Sequence, residues 1–337
     1  MNRYDRQERV SQIGPAGQAK LAAAHVVVVG LGALGSYAAS QLVRAGVGEL
    51  TLIDPDQVSE TNLQRQALYT TADAQAATLK VTAAAQHLQA INPLVRLHLL
   101  PASFEANLLP ADCDLILDCL DNYATRALVN HAARAAHLPY LFASCAGTFG
   151  TVMPIRPDGH HPCLNCLYPN LPELTQTDCD LIGVMTPLVP LVAGLQVSLA
   201  FKLLIAPEQV DFDRVWTLDA WEPAFQSFKV PINPGCPVCQ QVSSSPEVLN
   251  PTPQVTALCG SQTYRYRLAN PDLNELASRL TAAAHPVEHS PIFIRFSWQG
   301  HQVSLFKNGQ LLLYGAENLQ TATALIDQFV TMIISTQ

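Results

Sequence analysis

Several residues of this 337-residue chain have the types and spacing to do chemistry together. Gly30, Gly32 and Gly35 stand in G-x-G-x-x-G spacing directly after the run Val26-Val27-Val28-Val29. In such a turn the first glycine makes the tight bend. The second lets a phosphate approach the backbone, and the third lets helix and strand pack closely. The helix that follows offers free N–H groups and its positive dipole end to an anion. A nucleotide site is expected here. Asp54 and Asp121 each follow an apolar strand pattern, Glu49–Ile53 and Leu115-Ile116-Leu117. Ligands of open α/β sheets sit beyond the carboxyl ends of strands, so both aspartates are candidates to line one crevice. The alternative is that either one caps the helix that follows it. Cys163 and Cys166 form one C-x-x-C pair, and Cys236 and Cys239 a second about 70 residues on. Two such pairs match a closed tetrahedral four-cysteine zinc site. With four protein ligands the metal keeps no open position and is structural.

The elements that must position these residues follow from periodicity. Pro15–Ala24 predicts a short helix, His25–Val29 a buried strand, Ser36–Ala45 a helix stopped by Gly46 and Gly48, and Glu49–Asp54 a second strand. Two strands joined by a helix imply a parallel pair with a right-handed crossover. Asp56–Gln66 is a polar loop. Ala74–Ala90 has the composition of one long helix carrying Lys80, ended before Asn92-Pro93. Val95–Leu99, Asp114–Cys119 and Tyr140–Ser144 are predicted strands, Thr125–Ala136 a helix, Thr151–Arg156 an extended piece, and Pro190–Ala206 a helix. Gln241–Pro253 holds three serines and three prolines and reads as a linker. Strands at Tyr264–Leu268, Phe293–Phe296, Val303–Phe306 and Gln310–Tyr314 follow, with helices over Asp272–Ala284 and Asn318–Ile333. Asn308-Gly309 joins two of these strands and is a strong hairpin signal. The expected fold is α/β: a Rossmann-like, mostly parallel sheet flanked by helices with a four-cysteine zinc site over residues 1–245. A small α+β module for docking or association follows over residues 250–337.

Composition removes several classes. The net charge of −8 disfavours a nucleic-acid or anionic-membrane partner. Residues 251–337 carry five basic and five acidic side chains, so the charge belongs to the first part. Met1–Arg9 is polar and charged, so no secretory leader is expected. Nine cysteines without such a leader indicate reduced thiols in a cytoplasmic protein. Cys113, Cys119 and Cys145 flank strands and read as small buried hydrophobes. Cys179 lies among Thr175, Thr177, Asp178 and Asp180 with no apolar face. Its neighbouring carboxylates oppose thiolate formation. Leu181–Phe201 is uncharged for 21 residues. Pro187, Pro190, Gly194, Gln196 and Ser198 make it a buried loop leading into an interface helix, not a membrane span. Arg3-Tyr4-Asp5-Arg6-Gln7 alone reads as a solvated tail.

Taken in order, these motifs resemble the MoeB/ThiF/HesA adenylyltransferases, bacterial relatives of ubiquitin-activating enzymes. The carriers over residues 2–240 are Arg3–Gln7, Gly30–Gly35, Ala45-Gly46-Val47-Gly48, Asp54 with Asp56, and Asn62-Leu63-Gln64-Arg65-Gln66. Lys80 twelve residues before Asn92-Pro93, Asp121-Asn122, both C-x-x-C pairs and Gly183-Val184-Met185 complete the set. The resemblance implies an enzyme that uses ATP and Mg²⁺ to adenylate the C-terminal Gly-Gly carboxylate of a ubiquitin-like sulfur carrier of the MoaD or ThiS kind. Pyrophosphate is released, and the pathway is molybdopterin or thiamine-thiazole synthesis. It implies a nucleotide site of Gly30, Gly32, Gly35, Asp54, Asp56, Asn62, Arg65, Gln66, Lys80, Asp121 and Asn122. Arg65 and Lys80 would neutralise phosphate charge, Asp121 would hold Mg²⁺, Asp54 would accept from the ribose hydroxyls, and Asn62 would bond near the phosphates. Arg6 would reach the partner's site in a homodimer. Cys179 would lie in the crossover loop, where some members use a cysteine for thiol chemistry with the activated carrier. The family's frequent Gly-x-x-Lys approach is absent, since Thr78-Leu79 precedes Lys80. The module after residue 250 resembles an extension of some bacterial members. An NAD-dependent oxidoreductase would share the glycines and a downstream aspartate, but it leaves Asn62, Arg65, Lys80 and the cysteine pairs without a task. A non-catalytic zinc-containing partner subunit is disfavoured by the presence of Arg6, Arg65, Lys80 and Asp121 together.

Overall fold

The structure, a computed structural model, describes residues 2–169, 183–239, 255–258, 263–268, 271–290, 293–306 and 309–334. Cys179 and the Ser/Pro-rich 241–253 stretch lie outside the described residues. The chain divides into two compact units, Met1–Ser244 and Ser245–Gln337.

The first unit opens with two helices, α1 (Asp5–Glu8) and α2 (Gly14–Ala23). Strand β1 (His25–Val29) is buried along its whole length, as four consecutive β-branched residues require. Helix α3 (Ala33–Ala45) returns the chain to β2 (Glu49–Ile53). Helices α4 (Thr71–Gln75) and α5 (Lys80–Ile91) lead to β3 (Arg96–Leu100). Then come β4 (Leu115–Asp118), α6 (Tyr123–Ala135), β5 (Tyr140–Ala146) and β6 (Phe149–Ile155). A short α7 (Leu164–Leu167), α8 (Leu188–Ile205), β7 (Arg214–Asp219) and β8 (Ala224–Lys229) complete the unit. One sheet runs in the order β3-β2-β1-β4-β5-β6-β7-β8. The first five strands pair in parallel and the remainder antiparallel. The order reverses between β1 and β4, the place where a doubly wound sheet opens a crevice at its carboxyl edge.

Two differences from the sequence expectation are the largest in this unit. Ala74–Ala90 is not one helix. Thr70 and Asp73 form a capping box that starts α4, and the chain breaks at Ala77, whose φ is +46°. The Thr78 N–H donates to the Asp73 carbonyl and the Lys80 N–H to the Asp56 carbonyl, so tertiary bonds override an alanine-rich helical preference. Lys80 is therefore the first residue of α5. Ala77 occupies the position of the missing glycine in the approach to the lysine. A left-handed non-glycine residue costs ~1–2 kcal/mol, part of which glycine returns as unfolded-chain entropy. Ala77→Gly is expected to stabilise the unit by about 0.5–1 kcal/mol, read as a raised thermal midpoint with unchanged zinc content. An unchanged or lowered midpoint would show that the turn is unstrained. The second difference is the β7–β8 hairpin, for which no strand is expected from the sequence.

Helix α8 is long and apolar enough to cross a membrane by length and composition. It packs on α3, β5 and β6 in this fold, with Val192 and Leu188 against Gly150. Half of its residues are buried, while Leu191 is exposed. Cys113, Cys119 and Cys145 are buried, as expected.

The second unit is a six-stranded antiparallel sheet. Its strands are β9 (Thr256–Leu258), β10 (Thr263–Arg267), β11 (Val287–His289), β12 (Phe293–Trp298), β13 (His301–Phe306) and β14 (Gln310–Tyr314). Helices α9 (Leu273–Ala282) and α10 (Leu319–Ile334) pack their apolar stripes on Ile294, Phe296, Val303, Leu305, Leu311 and Leu313. The β13–β14 pairing joins Val303 to Leu313 and Leu305 to Leu311, so the two expected strands do form an antiparallel hairpin.

Candidate functional site

The glycine turn is built as its spacing requires. Gly30 has φ +89°, and a Cβ there would meet the Cys119 carbonyl oxygen at 2.9 Å. A Cβ on Gly35 would lie 1.9 Å from the Gly30 carbonyl oxygen, so only glycine lets α3 start this close to β1. Gly32 is different. A Cβ there would find nothing nearer than the Gln66 Nε2 at 3.7 Å, which leaves open space where a phosphate would approach. Gly32 is also the N-cap residue of α3, with no side-chain cap on the helix.

Asp54, just past β2, binds the turn from below. Its Oδ2 accepts the Leu31 N–H at 2.6 Å, and its Oδ1 accepts the Asp56 N–H at 2.9 Å. The side chain is buried, and burial pushes its carboxyl up to about 6 against the opposing pull of Lys80. The break before α5 brings Lys80 under the same turn. Its Nζ lies 2.9 Å from Asp56 Oδ2 and 3.9 Å from Asp54 Oδ1. Burial opposes the ammonium charge, but the carboxylates of Asp54 and Asp56 outweigh it and hold the group above the ordinary lysine range. Asp121 also acts on this charge. Two buried oxygens in this place, Asp56 Oδ1 and Gln66 Oε1, have no hydrogen-bond partner among the described residues. Such orphaned acceptors want a donor from a ligand or a water.

The polar loop supplies the rim. Asn62 is buried, its Oδ1 accepts the Ser59 N–H at 3.3 Å, and its carbonyl accepts the N–H groups of Arg65 and Gln66. Arg65 is half-buried, and its Nη1 donates to the Thr61 carbonyl. Thr186, just beyond Gly183-Val184-Met185, donates to Gln64 Oε1 at 2.7 Å. At the end of β4, Asp121 is exposed, while Asn122 caps α6 by accepting the Thr125 N–H at 2.9 Å. The capping task thus belongs to Asn122, whose Nδ2 also donates to Asp121 Oδ1 at 3.4 Å; the exposed Asp121 carboxylate is a hard oxygen donor of the kind Mg²⁺ prefers.

Beneath Asp121 lies a pair that the sequence reading missed. Asp118 is fully buried at the end of β4 and accepts the Leu120 N–H at 3.1 Å. Burial raises its carboxyl to about 6, while the Arg126 guanidinium pulls the other way. Arg126 is buried too. It donates to the carbonyls of Leu120 and Ala143 and stacks 4.6 Å from the Phe142 ring. The Asp118–Leu120 and Arg126–Leu120 bonds hold both ends of the turn that carries Asp121. The signal was present: Asp118 interrupts an apolar strand, and Arg126 shares the inward face of α6 with Val129, Asn130 and Ala133.

The four paired cysteines converge as expected. Their sulfur atoms all lie within 4.8 Å of one another, with Cys163–Cys236 and Cys166–Cys239 at 3.5 Å. Tetrahedral zinc with Zn–S bonds of ~2.3 Å sets its sulfurs about 3.8 Å apart, so the donor set fits that ion. The Asn233 N–H donates to Cys166 Sγ at 3.5 Å. Burial and the neighbouring sulfurs push the Cys163 thiol up to about 12, so a cation is needed to hold that ligand deprotonated. Asn130 of α6 anchors the first knuckle. Its Nδ2 donates to Asn165 Oδ1 at 3.1 Å, and its Oδ1 accepts from the Tyr140 hydroxyl at 2.7 Å and the Leu164 N–H at 3.3 Å.

Of the residues expected to act together, Gly30, Gly32, Gly35, Asp54, Asp56, Gln66 and Lys80 are packed around one turn. Asn62, Arg65, Asp121 and Asn122 lie on the loops at its edge. Arg6 is not there. It sits in α1, exposed, on a segment docked at the far end of α3. The Arg3–Gln7 stretch is therefore not a solvated tail.

A doubly wound sheet, a glycine turn over a buried Lys–Asp cluster and a knuckle of four cysteines together define a nucleotide-binding α/β protein with a metal-type clasp. Residues 4–238 match the ThiF family, and the chain belongs to that family. The chain is 35% identical to the sulfur carrier protein ThiS adenylyltransferase of Bacillus subtilis, over 97% of this chain and 99% of that protein. It is 36% identical to the molybdopterin-synthase adenylyltransferase of Escherichia coli, over 72% of this chain and 97% of that protein. Among solved structures, E. coli MccB with ATP superposes with a TM-score of 0.61 at 22% identity, over 71% of this chain and 73% of that one, a likeness of fold.

Proposed function

We propose that this chain is an ATP-dependent adenylyltransferase that activates the C-terminal carboxylate of a ubiquitin-like sulfur-carrier protein, in thiamine-thiazole or molybdopterin synthesis. The observation that carries this reading is the buried Lys80, held between Asp54 and Asp56 beneath a glycine turn with open space over Gly32. A hydride-transfer site has no use for a buried ammonium at that place. The Bacillus relative, an enzyme named for ThiS, is covered over nearly its whole length.

In this reading a carrier carboxylate oxygen attacks the α-phosphorus of ATP, and the bond from that phosphorus to the bridging oxygen breaks. The electron pair leaves with pyrophosphate, and an acyl-adenylate remains. Two anions must meet while charge moves onto the leaving group, so fixed cations are the main requirement. Lys80 supplies a pre-positioned point charge and Arg65 a fork at the rim. The α3 N-terminus adds N–H donors above Gly32. Asp121 holds Mg²⁺, which when bound supplies further charge neutralisation on phosphate oxygen. Asp118 and Arg126 fix the turn that presents Asp121. The four cysteines hold zinc as a structural ion.

The enzyme acts as a homodimer in this reading. Helix α3 is 13 residues, about 20 Å long, and separates the glycine turn at its start from the docked α1 segment at its end. That span is several times the reach of an arginine side chain, so Arg6 serves a partner's site and not its own. The apolar α8, with Leu191 exposed, is the fitting interface element.

Carrier-dependent ATP–pyrophosphate exchange tests the function. A purified ThiS-type or MoaD-type carrier ending in Gly-Gly should stimulate exchange. Asp121→Ala should lower the stimulated rate by about 10²–10³-fold with zinc content and oligomeric state intact. Absence of stimulation by either carrier would refute the adenylation reading, and ordinary exchange by Asp121→Ala would refute its assigned role.

A further inference from the structure

The docked N-terminal segment has a construction that its polar composition hides. The Tyr4 ring lies against Gly46, where a Cβ would come within 2.4 Å of the Tyr4 Cζ; Gly46 also has φ +80° as the cap of α3. The Tyr4 hydroxyl accepts from Asn92 Nδ2 at 2.9 Å, and the same amide donates to the Val43 carbonyl at 3.0 Å. Gln7 Nε2 donates to Gln18 Oε1 at 2.6 Å and to the Ala45 carbonyl at 3.0 Å. Gln18 Nε2 donates to that carbonyl too, at 2.9 Å. Asn92 and Gln18 are buried, so the platform is rigid. Carbonyls in the last turn of α3 thereby accept from side chains of three other segments.

The arginines of this segment are treated unequally. Arg3 donates to the Ile91 carbonyl at 2.6 Å, and Arg9 pairs with Asp5 at 2.9 Å. Arg6, between Tyr4 and Gln7, is exposed and makes no hydrogen bond or ion pair to the described residues. Its backbone is clamped on both sides while its guanidinium is left available. A solvated surface arginine needs no such clamp.

We infer that Tyr4 and Gln7, seated on Gly46, Ala45 and Asn92, are positioning residues that preset Arg6 for the active site of the second subunit. This rests on the homodimeric adenylyltransferase reading above. Presetting matters because an arginine delivered from a floppy tail must be ordered at every turnover, whereas a clamped one is already in place. The glycine of Ala45-Gly46-Val47-Gly48 then has a task beyond ending a helix: it makes the seat for the Tyr4 ring.

Mixed dimers test the inference. Two differently tagged chains are co-expressed, and the heterodimer is isolated on both tags. One chain carries Lys80→Ala, which disables its own site but leaves its Arg6 clamp intact. The other carries Tyr4→Phe with Gln7→Ala. The readout is carrier-dependent ATP–pyrophosphate exchange with a purified ThiS or MoaD carrier. The Tyr4→Phe/Gln7→Ala homodimer should lose about tenfold in kcat with little change in KM. The mixed dimer should recover to about half the wild-type rate, because its one working site receives Arg6 from an intact clamp. A purely structural role in the chain's own fold would leave the mixed dimer as slow per site as the homodimer, and that result would overturn the inference. A homodimer with the wild-type rate would overturn it as well. Arg6→Ala mixed with Lys80→Ala is the control. If that pair recovers and the clamp pair does not, the clamp inference alone fails. If the control does not recover, the trans-acting Arg6 fails, and the inference with it; if no carrier supports exchange in the wild type, the adenylation reading itself fails. Tyr4→Phe alone keeps the ring on Gly46 and removes only the acceptor for Asn92, so it serves as the gentler variant should the double one melt early.

Discussion

Lys80→Ala is expected to lower carrier-dependent ATP–pyrophosphate exchange by about 10²–10³-fold and, separately, to make the protein's stability fall with rising pH. The two effects have different origins. In the proposed reaction the first is the loss of a fixed cation beside the triphosphate. The second comes from what is left behind. Lys80 Nζ lies 2.9 Å from Asp56 Oδ2 and 3.9 Å from Asp54 Oδ1, all three groups being screened from water. Removing one partner of a buried charge cluster typically costs 3–5 kcal/mol, about 10 °C in thermal midpoint for a unit of this size. The sign with pH follows from Asp54. Its folded carboxyl stands at about 6, above the ordinary 3.8, chiefly through burial, with Lys80 pulling it down. Without Lys80 it rises further. A carboxyl whose folded pKa exceeds its unfolded one contributes stability that is complete below the unfolded value. That contribution is lost as pH rises through the folded value. The variant's deficit relative to wild type should thus be small near pH 5 and grow through pH 6–8. Thermal midpoints of both proteins at pH 5 and pH 8 check this. Lys80→Met, which retains the apolar stem, should behave the same way. A deficit equal at both pH values would show that packing, not the carboxylates, is what the substitution disturbs.

The position of Lys80 also shows where sequence reasoning stops. The residues that specify their own environment were legible: four valines make a buried strand whatever surrounds them, and Gly30 and Gly35 can be nothing else where their Cβ atoms would strike backbone. The four cysteines declare a common centre by their spacing alone. Lys80 was legible as a residue but not in its place. Seven of the seventeen residues from Ala74 to Ala90 are alanine and none is glycine or proline, so the stretch carries no local mark of the break at Ala77. That break is imposed by the bonds from Thr78 to Asp73 and from Lys80 to Asp56. The docking of Tyr4 and Gln7 is invisible for a related reason. It uses side-chain bonds to carbonyls at helix ends, which have no period, and a ring seated on a glycine 42 positions away. Asp118 and Arg126 do not stand out because Asp118 merely ends an apolar strand and Arg126 is one of several polar residues along α6. Their meaning appears only when β4 and the start of α6 meet at the turn carrying Asp121. The β7–β8 hairpin was missed because its outer strand is largely exposed, with Phe225 and Phe228 open to solvent, so no inside-outside alternation marks it.

One zinc ion per chain is expected, and its loss should separate nucleotide binding from carrier activation. Cys163 and Cys236 are 73 residues apart. The loop they close contains α8, β7 and β8, whereas Gly30–Gly35, Asp54, Lys80 and Asp121 all precede it. Closing a loop of that length removes ~4 kcal/mol of unfolded-chain entropy, to which the metal–thiolate bonds themselves add. Cys236→Ser, or prolonged chelation, should therefore lower the thermal midpoint by at least about 10 °C. The antiparallel half should loosen first, because the metal ties its two ends together. ATP affinity, measured by calorimetry below the lowered midpoint, should stay within about threefold of wild type. Carrier-dependent exchange should drop by more than about tenfold, since α8 carries the proposed subunit interface that brings Arg6 to the neighbouring site. Metal analysis of protein purified without chelators provides the direct check: well below one equivalent per chain in undamaged protein would sink the zinc assignment. A Cys236→Ser protein with an unchanged midpoint would sink the structural role. If ATP affinity and exchange fell together in the variant, the zinc knuckle would have to support the nucleotide crevice directly. The route would be Asn130, which bonds Asn165 of the knuckle from the same helix whose first turn is capped by Asn122 beside Asp121.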